Sequence, residues 1–161
     1  MPHEIAVTAE YPLDASVDPA MLVAWAEAAL TYADAPDGSV SIVIADDATV
    51  QALNRDYRGL DEPTDVLSFG LGGLAKPLEP DEPEAFILPA DAPLEIGEIV
   101  ISHPYAARTA TTTNRPIRDE LALLTVHGIL HLLGHDHLED EEGDEMRRQE
   151  AAILHGFGIE R

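Results

Sequence analysis

Four of the seven histidines fall within eleven residues, in the run His127-Gly128-Ile129-Leu130-His131-Leu132-Leu133-Gly134-His135-Asp136-His137. On a helix, His127 and His131 stand at i and i+4 and project from one face about one turn apart, the spacing at which two imidazoles can grip one ion. Gly134 permits a sharp turn at the helix end, so a later histidine, His135 or His137, can return over it. Three neutral imidazoles suit Zn2+, Cu2+ or Ni2+, and three protein ligands with a fourth position open to water is the arrangement of a catalytic zinc site. A lone histidine on a helix carries no such implication. The chain contains no cysteine, so thiol nucleophiles, disulfide scaffolds, zinc ribbons and iron–sulfur clusters are excluded and any metal must sit on histidine and carboxylate.

The pattern H-x3-H-x2-G-x2-H, ten residues from His127 to His137, has the spacing found in the metzincin proteases. Those enzymes place a glutamate directly after the first histidine as general base, and Gly128 occupies that position here. Glycine cannot take a proton, which moves the expected chemistry away from peptide hydrolysis; a protease would need a base from elsewhere, such as Glu98 or Asp136. Glycine inside a helix costs about 1 kcal/mol against alanine. Gly128 is therefore expected to leave room for a bulky phosphodiester beside the metal, the alternative being that it only lets another backbone approach. Asp136 can orient a ligand imidazole or serve as a helix-end cap or turn.

The elements that must position these residues follow from periodicity and turn chemistry. With 161 residues, 45% apolar and 25% charged, the chain has the size and composition of one globular domain. Ile5, Val7 and Ala9 alternate as a first strand, and Asp18-Pro19 opens a helix through about Ala33. Pro36-Asp37-Gly38 turns into a strand with Val40, Ile42 and Ile44 on one face, and Asp46 or Asp47 caps a short helix ending near Tyr57. A short strand is expected over Val66 to Phe69. Residues Gly70 to Leu94, rich in Gly, Pro and acids, read as a mobile acidic loop at about 70–95. EIGEIVIS forms the next strand, with Ile96, Glu98 and Val100 on one face and Gly97, Ile99 and Ile101 on the other. A short helix starts at His103-Pro104, a long one opens with Pro116 at its first position and runs to Leu133 with Gly134 as terminator, and a last helix spans about Glu142 to Leu154. Four strands and five helices predict an α+β or α/β domain, one sheet partly covered by helices. Val126, Leu130 and Leu133 form a stripe that can bury against that sheet, leaving the histidine stripe to line a cleft.

The run HGILHLLGHDH resembles the signature of the YbeY family of rRNA maturation factors and single-strand-specific, metal-dependent endoribonucleases. LNRDYRGLDEPTDVLSF resembles a second signature of that family, and GEIVIS the strand that follows it. The three segments lie in family order between Leu53 and His137, about half the chain. The resemblance implies an α+β fold with a four-stranded mixed sheet, one zinc ion held by His127, His131 and His137, and an arginine important to activity at Arg58. Both the family pattern and the ten-residue interval favour His137 over His135 as third ligand. Phosphodiester cleavage builds charge on nonbridging oxygens, which a guanidinium stabilises through forked hydrogen bonds; without the resemblance, Arg58 would read as a surface ion pair. Thr64, Asp65 and Ser68 are expected to shape the same cleft without a chemical step.

The resemblance further implies action on single-stranded RNA in rRNA processing, including maturation of the 16S rRNA 3′ end, and in ribosome quality control, with the small ribosomal subunit and its proteins as partners. A net charge of −22 argues against nonspecific adhesion to DNA or anionic membranes, and selectivity for RNA is expected to need a protein partner or the ribosome. Arg108, Arg115 and Arg118 precede the histidine helix and could supply a local phosphate track or simply a solvated helix face. The acids from Glu139 to Glu145 are expected to solvate the last helix. The first residues lack the pattern of a signal peptide and no run has the length of a membrane helix, which predicts a cytoplasmic protein. Two other classes compete: a metalloprotease-like hydrolase, and a noncatalytic ribosome-assembly factor with a structural zinc in a closed site.

Overall fold

A computed structural model describes residues 3–70, 95–134 and 140–160, with side chains in the last segment from 145 onward. In chain order the elements are β1 (His3–Ala9), α1 (Pro19–Tyr32), β2 (Gly38–Ala45), α2 (Asp47–Arg58), β3 (Val66–Gly70), β4 (Glu95–Ser102), α3 (His103–Thr112), α4 (Ile117–Leu132) and α5 (Asp140–His155). Local chemistry starts and stops most of the helices. The Asp18 carboxylate accepts the Met21 amide at 3.2 Å at the head of α1, and Asp46 accepts the Thr49 amide at 2.8 Å at the head of α2. Gly59 ends α2 in the left-handed conformation, φ 74°, which a side chain would resist. Pro116 is the N-cap of α4 rather than its first helical residue, with ψ at 144°; its ring excludes an N–H that would have no partner there.

The four strands form one mixed sheet in the order β1-β2-β4-β3. The β1, β2 and β4 strands are parallel, and β3 runs antiparallel to β4 at the edge, with Ser68 opposite Ile99. This is a single small α+β domain, as the sequence led us to expect. On one face, Ile42, Ile44, Ile99 and Ile101 pack with Leu22 and Leu30 of α1, Leu121, Ile129 and Leu130 of α4, and Met146 and Leu154 of α5. On the other, Val50 and Leu53 of α2 cover Ala45, Leu67 and Val100.

One strand departs from strict alternation. The register of β2 against β4 jumps from Ser39–Glu95 to Val40–Gly97, so Ile96 is an extra residue at a bulge. Ile96 consequently joins Ile99 and Ile101 in the larger core instead of sharing a face with Val100. The expected acidic loop corresponds to 71–94, which lies outside the described residues, between the end of β3 and the start of β4. Among the described residues, no helix is long and apolar enough to cross a membrane.

Candidate active site

Helix α4 packs against α1, α3, α5, β3 and β4. From Glu120 to Leu132 every residue is buried except Leu123, His127 and His131, which are partly exposed and spaced four apart. A helix surrounded on all sides but one therefore presents both imidazoles along its single open stripe. Their ring centroids are 4.6 Å apart with planes at 64°. Val126 and Leu130 are fully buried, as their expected stripe requires, while Leu133 is only partly so. The Nδ1 of His127 donates to Oε1 of Glu150 on α5 at 2.8 Å; the Glu150 side chain is 1% exposed and that of His127 26%. A carboxylate acceptor puts the proton on Nδ1 and the lone pair on Nε2. That donor set fits a transition metal, since ligating imidazoles characteristically hand their other N–H to a carboxylate or carbonyl. His135, Asp136 and His137 lie outside the described residues, among which no three His, Asp or Glu side chains gather around one point.

The sheet edge holds α4 in place. Ser68 on β3 donates its hydroxyl to the carbonyl of Gly128 at 3.0 Å, directly after His127. A Cβ built on Gly128 would stand 3.0 Å from Ile99 Cγ2 and 3.3 Å from Val66 Cγ2. The expectation that Gly128 leaves space for a phosphodiester is thus corrected: the glycine lets α4 settle on the side chains of β3 and β4. Gly97 serves the same contact from below, because a Cβ there would meet the Phe69 carbonyl oxygen at 2.5 Å and Leu132 Cδ2 at 2.6 Å. Of the residues expected to shape the cleft, Asp65 begins β3 by accepting the Val66 amide at 2.7 Å, and its own carbonyl accepts the Ser102 amide at 2.8 Å.

Arg58 is the exposed last residue of α2 and makes no hydrogen bond or ion pair among the described residues. Tyr57 beside it is 70% exposed, with its ring edge-on to Phe69 at 5.2 Å. The segment joining Arg58 to β3 is pinned by buried Asn54, whose side-chain amide donates to the Glu62 carbonyl at 3.0 Å.

Arg108, Arg115 and Arg118, the candidates for a phosphate track, each have a partner within the chain. Arg108 is bound to Asp47 at 2.7 Å, and this contact holds the Asp47 carboxyl below its usual range. Arg115 donates to the Glu160 carbonyl at 2.9 Å. Arg118 lies 3.5 Å from Asp119 and stands nine positions before His127, about 14 Å along a helix axis. His103, outside the cluster, is structural: it accepts the Asp14 amide at 3.1 Å and stacks on Tyr11 at 5.3 Å, and burial pushes its pKa down.

Glu150 and Asn54 are the positions that reading the sequence missed. Met146, Glu150, Ile153 and Leu154 occupy i, i+4, i+7 and i+8, so an acid on the apolar stripe of α5 was the available signal. In α2, Asn54 lies four residues after Val50 on the buried face.

A small α+β sheet domain thus carries a helix-borne imidazole pair backed by a buried carboxylate, a set of donors that fits a metal-dependent hydrolase. The family described as Endoribonuclease YbeY matches residues 11–158. Relatives bearing that name include one from Paramagnetospirillum magneticum, 45% identical over 82% of this chain and 76% of its own. Another, from Geobacillus kaustophilus, is 46% identical over 78% of each chain, and one from Moorella thermoacetica is 40% identical over 95% of this chain and 94% of its own. The solution structure of TM1509 from Thermotoga maritima has the same fold, with a TM-score of 0.57 over 96% of this chain and 91% of that one, at 24% identity. The chain belongs to the endoribonuclease YbeY family.

Proposed function

We propose that this protein is a zinc-dependent, single-strand-specific endoribonuclease that hydrolyses phosphodiester bonds in rRNA, including those removed in maturation of the 16S 3′ end, and that it serves ribosome quality control. His127, His131 and His137 hold one zinc ion per chain, and Arg58 stabilises charge on the phosphate. The observation that carries this reading is the open stripe of α4: between Glu120 and Leu132 only Leu123 and two imidazoles are accessible, one imidazole bonded to a buried carboxylate. When bound, zinc supplies Lewis acidity toward a phosphoryl oxygen. The chain's own residues do the rest. Imidazole Nε2 atoms present lone pairs, Ser68 steadies the helix backbone beside His127, and Arg58 offers a planar fork to nonbridging oxygens. The exposed face of Tyr57 gives an unstacked base something to lie against, which duplex RNA lacks. A side chain at position 128 would press on Ile99 and Val66, so this position does not supply the general base that a protease would need.

Elemental analysis of the purified protein, paired with cleavage of one RNA sequence as single strand and as duplex, tests the proposal. We expect about one zinc per chain and cutting of the single strand alone. His131→Ala should lose most of the metal and the activity, whereas His135→Ala should keep both. Undiminished cleavage after exhaustive chelation would refute the metal-dependent reading. The rRNA assignment is checked separately in cells lacking the protein, where 16S precursors with unprocessed 3′ ends should accumulate; normal ends would restrict the activity to other RNA.

A further inference from the structure

The geometry points to Glu150 of α5 as a positioning residue that fixes the tautomer and orientation of His127 on α4 and thereby raises its metal affinity. This inference rests on the proposal that His127 ligates zinc. Burying a carboxylate is costly unless it is paired and hydrogen-bonded, and the Glu150 side chain is 1% exposed. Its position is set by its own helix. Met146, Ile153 and Leu154, on the same stripe, are 2%, 5% and 0% exposed and belong to the main core, so the acid cannot swing out to water without undocking α5.

Glu150 Oε1 meets His127 Nδ1 at 2.8 Å. That contact has two consequences for the imidazole. A neutral imidazole carries one proton, and a buried acceptor at Nδ1 holds it there, so Nε2 is the nitrogen that carries the lone pair a metal would take. The ring is also held in one rotamer before any ion arrives, which removes an ordering cost from binding. Loss of such a partner typically lowers metal affinity about 10–100-fold. The pairing is long-range, its members 23 positions apart, and it joins the helix that carries the imidazole pair to α5.

Zinc affinity of the full-length protein, measured by competition with a chromophoric chelator, is compared for wild type, Glu150→Ala, Glu150→Gln and Ile153→Ala. Thermal midpoints are recorded in parallel, and the His127 tautomer is read by long-range 1H–15N NMR. Glu150→Ala should bind zinc about 10–100-fold more weakly, and His127 should lose its preference for the Nδ1–H form. Glu150→Gln keeps a neutral acceptor oxygen and should fall between. Ile153→Ala weakens α5 packing without touching the ring, and should lower the thermal midpoint while preserving the tautomer. Should Glu150→Ala fail to fold, Glu150→Gln decides the matter by the same readouts. Wild-type zinc affinity and an unchanged tautomer in the Glu150 variants would overturn the positioning role and leave the metal reading intact. A wild-type protein without zinc affinity would overturn both.

Discussion

Arg58 and His127 illustrate two ways in which a side chain is prepared for chemistry. His127 is held by a buried carboxylate, whereas Arg58 stands exposed at the end of α2 without an intramolecular partner among the described residues. A guanidinium at such an exposed position can give its whole fork to a phosphate, and ordering it there is part of binding substrate. Arg58→Ala should therefore retain fold and metal but lose cleavage by about 10²–10³, the usual effect of removing one donor to developing charge. Arg58→Lys should recover only part, since an ammonium keeps charge and loses the planar fork. Single-turnover cleavage of a labelled oligonucleotide with metal-replete protein measures both; wild-type rates in Arg58→Ala would make this arginine a surface residue. By contrast Arg108, bound to Asp47 at 2.7 Å, is already spoken for, and the two arginines show why an equal charge need not mean an equal role.

Between elements, the decisive contact is α4 lying on the edge of the sheet, because every displacement of that helix moves both imidazoles. Two glycines permit it from opposite sides. A methyl group on Gly97 would stand 2.5 Å from a backbone oxygen that has no room to retreat, whereas one on Gly128 would press on Ile99 and Val66 side chains at 3.0 and 3.3 Å. Gly97→Ala should lower the thermal midpoint strongly, and Gly128→Ala less, at about 1–3 kcal/mol for a tolerated overpacking. Cleavage per folded, metallated Gly128→Ala molecule should stay near normal, because the added methyl faces the sheet. Thermal melts with parallel metal and activity assays settle the order; a normal melt for Gly97→Ala would show that Leu132 and the Phe69 carbonyl do not crowd the site as described.

At the scale of the whole molecule, an enzyme for a polyanion carries a net charge of −22. Repulsion of RNA then reaches as far as the ionic atmosphere allows, about 30 Å at 0.01 M salt and about 8 Å at 0.15 M. Raising salt between those limits should increase kcat/KM for a short single strand, opposite to the loss expected of a basic nuclease that releases counterions. A monotonic fall would reveal a local cationic track that dominates the field. The engaged states of Arg108, Arg115 and Arg118 are the reason to expect the rise.

The elements and the histidine pair were legible from the chain alone because their signals are local. Capping by Asp18 and Asp46, alternation in SVSIVIA and the i, i+4 spacing of His127 and His131 each involve residues a turn or two apart, where backbone geometry dictates who meets whom. Tertiary structure decided everything that depends on partners distant in sequence. Periodicity could not say that Ile96 would be an extra residue at a bulge, since that follows from the register of β2. Nor could it say that Gly128 faces Ile99 and Val66 instead of substrate, or that Arg115 would be held by the Glu160 carbonyl. The sequence placed an acid on the apolar stripe of α5, but only the packing of α5 on α4 joined it to His127 across 23 residues, because a buried charge takes its partner from whatever the fold brings within hydrogen-bond reach.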